Sequence, residues 1–303
     1  MKSSKRIFGA GITGLAGTSA FLVILIVVLI LVNITAGGWH MLSWKFITGS
    51  PTEGMTAGGI FPAIFGTFLL VLLMSIAVIP VGTITAIYLT EYVSQRSVLP
   101  RIIRFAVNTL AGIPSIVFGL FGLGFFIQFV GRGVDQAFLG PGQLKWGQPN
   151  ILWASMTMAL LTLPVVIVSV EEAIKTVPRE LRDASLALGA TKWETIWRIV
   201  IPHSMTGIMT GGILAVSRGA GEVAPILFTG AAYFLPQLPS SLTDQFMELG
   251  YHVYIMSTQS TNVDETKGIQ YATTFVLLAL TFALNFSALF LRYRMRNRMA
   301  LNR

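Results

Sequence analysis

Residues 171–202 read EEAIKTVPRELRDASLALGATKWETIWRIVIP. Ten of them are charged, in a chain where only 11% of residues are. Long apolar runs flank the segment on both sides. A membrane-embedded chain that concentrates so much charge in one mid-chain loop presents that loop to another protein. Pro178 suits the first turn of a helix, where its missing N–H costs nothing, with Thr176 or Val177 preceding it. Leu181, Ala184, Ser185 and Leu188 recur at spacings of three and four and form one face. Arg179 and Asp183, four apart, can pair across the polar face. Gly189 suits a left-handed cap. Thr191 with Glu194 three residues on reads as a capping box opening a second short helix, which Pro202 limits.

Outward from this loop the chain is apolar. It is 53% hydrophobic, and several uncharged runs exceed the roughly 20 residues that cross a bilayer. Ile7 to Trp44, Gly54 to Thr90, Phe105 to Gly131, Trp146 to Val170 and Gly268 to Leu291 carry no Lys, Arg, Asp or Glu. Ile199 to Pro236 is broken only by Arg218 and Glu222. In hydrocarbon each span must satisfy its own backbone, so continuous runs read as helices. Strands would alternate apolar with polar. The runs place spans near 15–36, 61–89, 106–130, 151–170, 205–235 and 271–291. The first is too long for the 7–15-residue core of a signal peptide and reads as a retained helix.

The net charge of +8 is unevenly placed. Sixteen of the 21 basic residues fall on one side of a six-span topology: Lys2, Lys5, Arg6, Arg96, Arg101, Arg104, Lys175, Arg179, Arg182, Lys192, Arg198, Arg292, Arg294, Arg296, Arg298 and Arg303. Lys45, Arg132, Lys145 and Lys267 fall on the other, and Arg218 within a span. The positive-inside rule then predicts cytoplasmic termini and a cytoplasmic 171–202 loop. Topology and anionic membrane lipid account for the basic surplus, and no nucleic acid is needed.

Catalytic patterns are missing. The chain has no cysteine, which excludes disulfides and thiolate chemistry. It has no G-x-x-x-x-G-K-[ST], H-E-x-x-H or G-x-S-x-G. His40, His203 and His252 are far apart, and no shared metal site is expected. The expectation is a transport component that is not itself an enzyme and binds no cofactor or metal.

The loop is similar to the "EAA" loop of ABC importer permeases: E-A-A, three residues, Gly, nine residues, I-x-L-P. Here it reads Asp183-Ala184-Ser185, three residues, Gly189, nine residues that begin Ala190-Thr191, and Ile199-Val200-Ile201-Pro202. The departures are Asp for Glu, Ser for the second Ala, and Ile for Leu. The resemblance implies a type I ABC importer permease fold, all-α with six transmembrane helices. It implies a loop that docks on a separate ATPase subunit, which would hold the ATP and Mg²⁺.

Further segments resemble the phosphate-specific, PstA-type branch. They are Gly58-Gly59-Ile60-Phe61-Pro62, the stretch Ala111 to Leu123 (AGIPSIVFGLFGL), Ser217 to Pro225 (SRGAGEVAP) and Gly250-Tyr251-His252-Val253-Tyr254. The likeness implies a PstC-like second permease, PstB-like ATPase subunits and a PstS-like extracytoplasmic phosphate-binding protein, in the inner membrane. The organisation expected is an N-terminal segment, first helix and outer loop (1–57), a permease domain (58–291) and a basic tail (292–303). Arg218 and Glu222 sit four apart, share a helix face, and are the charges inside a span. An Arg fork suits phosphate oxygens, and Glu222 can neutralise it when no anion is present. Pathway element and fixed packing pair are both open. Pro80, Pro114, Pro164 and Pro225 would bend spans. The loop from Gln237 to Lys267 would face the binding protein. Permeases for sulfate, molybdate or phosphonate, and ATP-independent secondary transporters, are the alternatives.

Overall fold

The computed structural model describes residues 2–52, 57–93, 97–140, 142–259 and 263–301. Arg96 and Arg303 of the charge count lie outside the described residues. So do the side chains of Lys2, Lys5, Arg6, Asp264, Glu265, Arg296 and Arg298. The chain opens with α1 (Lys2–Gly38), a 3₁₀ turn at Trp39–Met41 and short α2 (Trp44–Thr48). A two-strand antiparallel hairpin, β1 (Pro51–Thr52) with β2 (Ala57–Gly58), leads into α3 (Phe61–Ile87). Then come α4 (Val98–Ala111), α5 (Ser115–Phe121), α6 (Arg132–Phe138) and α7 (Ile151–Lys175). The remainder is α8 (Arg179–Ala187), α9 (Lys192–Thr195), α10 (Ile201–Gly219), α11 (Leu249–Thr258) and α12 (Val263–Leu301). Widened π-type turns carry α3 on through Tyr88–Tyr92, α5 into α6 through Gly122–Gly131, and α9 into α10 through Ile196–Val200.

Among the described residues, six helices are long and apolar enough to cross a membrane: Ile12–Met41, Phe61–Tyr92, Ser115–Phe138, Ile151–Lys175, Lys192–Gly219 and Thr266–Met295. Their number matches the sequence reading, but the third and fifth spans are displaced, the fifth beginning at Lys192 rather than near 205. The third span starts at Ser115, not near 106. Gly112 and Pro114 end α4, which is a separate amphipathic helix. The fifth ends at Gly219, not near 235. The apolar stretch 220–235 is turns, punctuated by Gly221, Pro225 and Gly230. Of the four prolines expected to bend spans, Pro80 and Pro164 lie inside helices. Pro114 precedes α5, and Pro225 lies in the turns.

The irregular backbone after Gly219 is satisfied by α7. The first N–H groups of a helix lack internal partners. Here Asn150 N–H donates to Thr229 O at 2.9 Å, Ile151 N–H to Asp244 O at 2.9 Å and Leu152 N–H to Leu242 O at 3.2 Å. The Asn150 side chain caps Trp153 N–H at 2.9 Å. Non-helical chain at this depth is tolerated because it is buried in protein and paired.

The core lies between α3, α7 and α10. Leu70, Met74 and Val78 on α3 follow a helical face and meet Met158, Leu161, Val166 and Val170 on α7 and Ile208 and Ala215 on α10. Lipid tails are as apolar as these side chains, so close packing and internal polar contacts hold the bundle rather than burial from water. By contrast α1 is exposed over most of its length, meeting α12 where Gly37 and Gly38 face Tyr271 and Ala272.

One face of the bundle carries α4, α8, α9 and the end of α3. The opposite face carries segments 39–52, 57–60 and 220–259, tied by Ser50 Oγ donating to Pro236 O at 3.2 Å. There α3 meets α11. A Cβ on Gly66 would collide with the Met247 carbonyl, so only glycine permits this approach. Glu248 caps α11, its carboxylate accepting from Gly250 N–H at 2.9 Å, Tyr251 N–H at 2.7 Å and Thr67 Oγ1 at 3.3 Å. Thr67 Oγ1 in turn accepts from Leu249 N–H at 3.0 Å. Burial pushes the Glu248 carboxyl up to about 6, although these hydrogen bonds act in the opposite direction.

One turn on, burial pushes the His252 imidazole down to about 4. Its Nδ1 has no hydrogen-bond partner. The depressed histidine means the folded chain binds fewer protons than the unfolded one. Its stability contribution is therefore lost as pH falls from 6.5 toward about 4. The raised Glu248 pKa has the opposite sign: its cost fades as pH falls below about 6. Replacing His252 by Leu removes the acid-side loss alone. From pH 7 to pH 5 the variant should gain about 2 kcal/mol on the wild type, read from thermal unfolding across pH. Parallel pH profiles would contradict this.

Candidate functional site

The 171–202 segment folds from local signals. Helix α8 begins one residue later than the sequence suggests, with Pro178 as its N-cap rather than in its first turn. Its end uses Gly189 at φ +86°, a left-handed conformation that costs residues with a Cβ roughly 1–2 kcal/mol. Ala190 N–H then donates to Ser185 O at 3.2 Å and closes the helix end. Thr191 and Glu194 form the reciprocal capping box at the start of α9. Ser185 Oγ and Thr195 Oγ1 join α8 to α9 at 3.0 Å.

Helix α8 buries none of its side chains. Asp183 and Ala184 are exposed, while Ser185 and Ala190 are half-buried. Leu188 is 89% exposed, Trp193 60% and Trp197 61%, and the two indoles stack at 5.9 Å. Ile201 and Pro202 are half-buried, and Ile201 packs on the main core.

Arg179 and Asp183 form no ion pair among the described residues. The pairing belongs to Arg182, one turn away from the expectation. Its Nε and Nη2 donate to Glu91 Oε1 at 3.1 and 2.9 Å, and Nη2 donates to Ile174 O at 2.9 Å. Nη1 donates to the Val177 and Pro178 carbonyls. Lys192 lies 5.1 Å from the centre of the Tyr92 ring. Beside them Arg104 pairs with buried Glu171 at 2.6 Å and donates to Leu89 O at 3.3 Å. A cleft of about 400 Å³ opens here, bordered by Thr90, Glu91, Arg179, Arg182 and Asp183.

Arg218 and Glu222 are brought together but do not share a helix. Helix α10 ends at Gly219, so Glu222 lies in the turn beyond it. Arg218 Nε is 3.6 Å from Glu222 Oε1, and the side chains are 36% and 26% exposed. Ser217 Oγ donates to Asn285 Oδ1 and ties α10 to α12. Among the described residues no group of three or more His, Cys, Asp or Glu is arranged to hold a metal. Sequence reading singled out neither Glu91 nor Arg182. The available signal was Glu91's position as the charge that ends the Gly54–Thr90 run.

A bundle of six spans with a charged helical loop, and a glycine-broken fifth span, defines a polytopic transport subunit. Residues 78–300 match the family described as binding-protein-dependent transport system inner membrane component. The chain belongs to that family, the multi-pass permeases of ABC importers, whose type I fold it shares. It is 30% identical to the "Probable ABC transporter permease protein YqgI" of Bacillus subtilis, over 91% of this chain and 92% of that one. It is 37% identical to the phosphate transport system permease protein PstA 1 of Mycobacterium tuberculosis, over 64% of this chain and 57% of that relative. In fold it resembles the solved bacterial alginate ABC transporter in complex with alginate pentasaccharide-bound periplasmic protein. The TM-score is 0.60 at 14% identity, covering 93% of this chain and 94% of that one.

A residue other than glycine at 189 has open space but the wrong backbone. Gly189→Val should therefore weaken the α8–α9 junction by about 1–2 kcal/mol and leave the bundle intact. The expected outcome is normal membrane abundance with transport reduced at least about tenfold. Full transport in Gly189→Val would count against a role for this junction.

Proposed function

We propose that this chain is one membrane half of an ATP-driven phosphate importer in the bacterial inner membrane. Both termini and the 171–202 loop face the cytoplasm. The chain pairs with a second, PstC-like permease. Its α8–α9 unit docks on PstB-like ATPase subunits, and a PstS-like binding protein delivers phosphate to the opposite face. ATP and Mg²⁺ belong to those ATPase subunits, and the chain hydrolyses nothing itself. The observation that carries the reading is the α8–α9 surface: Leu188, Trp193 and Trp197 are exposed on a loop with an EAA-like spacing. The likeness to a phosphate permease supports the cargo.

Arg218 and Glu222 supply the chemistry expected of an anion path. Their contact is longer than a hydrogen bond, and both side chains are partly open. A guanidinium has five N–H donors, and among the described residues no hydrogen bond occupies those of Arg218. Phosphate can take the fork as it passes, and Glu222 neutralises the charge between transport events. The C-terminal end of α10 stabilises the Arg218 cation itself. Gly221, between the two residues in sequence, is exposed where the helix has ended, as in the broken spans of transport sites.

The test is uptake of labelled phosphate by Arg218→Ala and Arg218→Lys at matched membrane levels. Hydrogen bonds to charged groups contribute about 1.5–3 kcal/mol, so Arg218→Ala should lose at least about tenfold, with Arg218→Lys between it and the wild type. Unimpaired uptake in both would contradict the pathway role. Competition by sulfate or molybdate as strong as by phosphate would assign the cargo to another oxyanion.

A further inference from the structure

Helix α8 poses a mechanical question. It buries no side chain, and Leu181, Leu186 and Leu188 are exposed, so apolar packing does not fix it to the bundle. What holds it is polar. The Arg182 fork grips the carbonyls of Ile174, in the last turn of α7, and of Val177 and Pro178 just beyond it, and the Glu91 carboxylate at the end of α3. The carbonyl contacts join α8 to its own chain neighbours. The Glu91 contact reaches across 91 residues of sequence to α3, and Ser185 meets Thr195 at the start of the fifth span.

From these contacts we infer that Glu91 and Arg182 form the transmission joint that converts displacement of the α8–α9 unit into movement of α3. Several features suit them to it. Glu91 is 11% exposed and Arg182 17%, so solvent screens the pair less than a surface ion pair. Two guanidinium nitrogens on one carboxylate oxygen fix direction as well as distance. Glu91 sits on the π-type turn Tyr88–Tyr92, a widened helix geometry frequent at functional sites. Tyr92, its neighbour, holds α9 through Lys192, so both short helices meet the end of the same span. At its far end that span is in direct contact with the α11 cap, through Gly66 against Met247 and Thr67 against Glu248. A push on α8 therefore reaches the opposite face along one continuous helix.

The inference rests on the reading that α8–α9 docks an ATPase. Glu91 and Arg182 are positioning residues: neither needs to touch cargo or nucleotide. Glu91→Ala is the cleanest cut, because Arg182 keeps its carbonyl contacts and α8 stays attached to α7. The complex, purified through a tag on this chain and placed in liposomes with its binding protein, is assayed for ATP hydrolysed per labelled inorganic phosphate transported. Glu91→Ala should retain the ATPase subunits in wild-type amount while the ratio rises about tenfold. Glu91→Asp, which keeps the charge but is one methylene shorter, should recover part of the loss. A merely structural role would lower yield without changing the ratio.

The chain has no native cysteine, so Glu91→Cys combined with Arg182→Cys provides a second arm. A short bifunctional thiol reagent spanning the two should restore the wild-type ratio that the reduced double variant lacks. An unchanged ratio in Glu91→Ala would overturn the joint. So would loss of the ATPase subunits from Glu91→Ala, since Glu91 would then only shape the docking surface. A wild-type chain that purifies without any ATPase would overturn the docking reading and the joint together.

Discussion

The packing of α3 against α7 is the constraint on which the rest of the structure depends. The two spans supply most of the buried core, and α10 closes it with Ile208 and Ala215. Several polar attachments outside the core end on one of them. Arg104 docks α4 on Glu171 of α7, and Arg182 links α8 to the ends of both. The Thr67–Glu248 contact sets α11 on α3, and the first N–H groups of α7 satisfy the irregular chain after Gly219. Between membrane helices there is little hydrophobic driving force, so such polar contacts and close approaches decide which elements move together.

That division suggests how work passes through the molecule. The α8–α9 unit is internally rigid, held by a capping box, the Ser185–Thr195 contact and a left-handed glycine. Helix α8 touches the bundle mostly through polar, directional contacts, whereas α9 runs on into α10 with Thr195, Ile196 and Val200 buried. Displacing α8 disrupts no packed core. The broken fifth span has the complementary property. Its helix stops at Gly219, and the turns beyond it hold Glu222 near Arg218 without locking it.

The existence of six spans was legible in the sequence because a backbone in hydrocarbon must pair with itself, and long uncharged runs leave no other solution. Loop details were legible for a local reason. Thr191 and Glu194 cap each other three residues apart, and Gly189 needs only its own φ. The ends of the third and fifth spans were not, since hydropathy reports depth and not helicity. Residues 220–235 are apolar yet fold as turns, with partners elsewhere in the chain: Asn150 N–H donates to Thr229 O, and Ala232 N–H donates to Phe246 O. The choice of Arg182 over Arg179 was hidden in the same way. Both sit on a charged helix, and only the fold brings Glu91 to one of them.

In the proposed function, ATP hydrolysis on a separate subunit, acting through the 171–202 loop, drives this chain. The most direct measurement is uptake of labelled phosphate into cells or vesicles in which ATP and the proton gradient are depleted separately. The account predicts that uptake follows ATP and survives collapse of the proton gradient. Uptake that persists without ATP and stops with the proton gradient would contradict it.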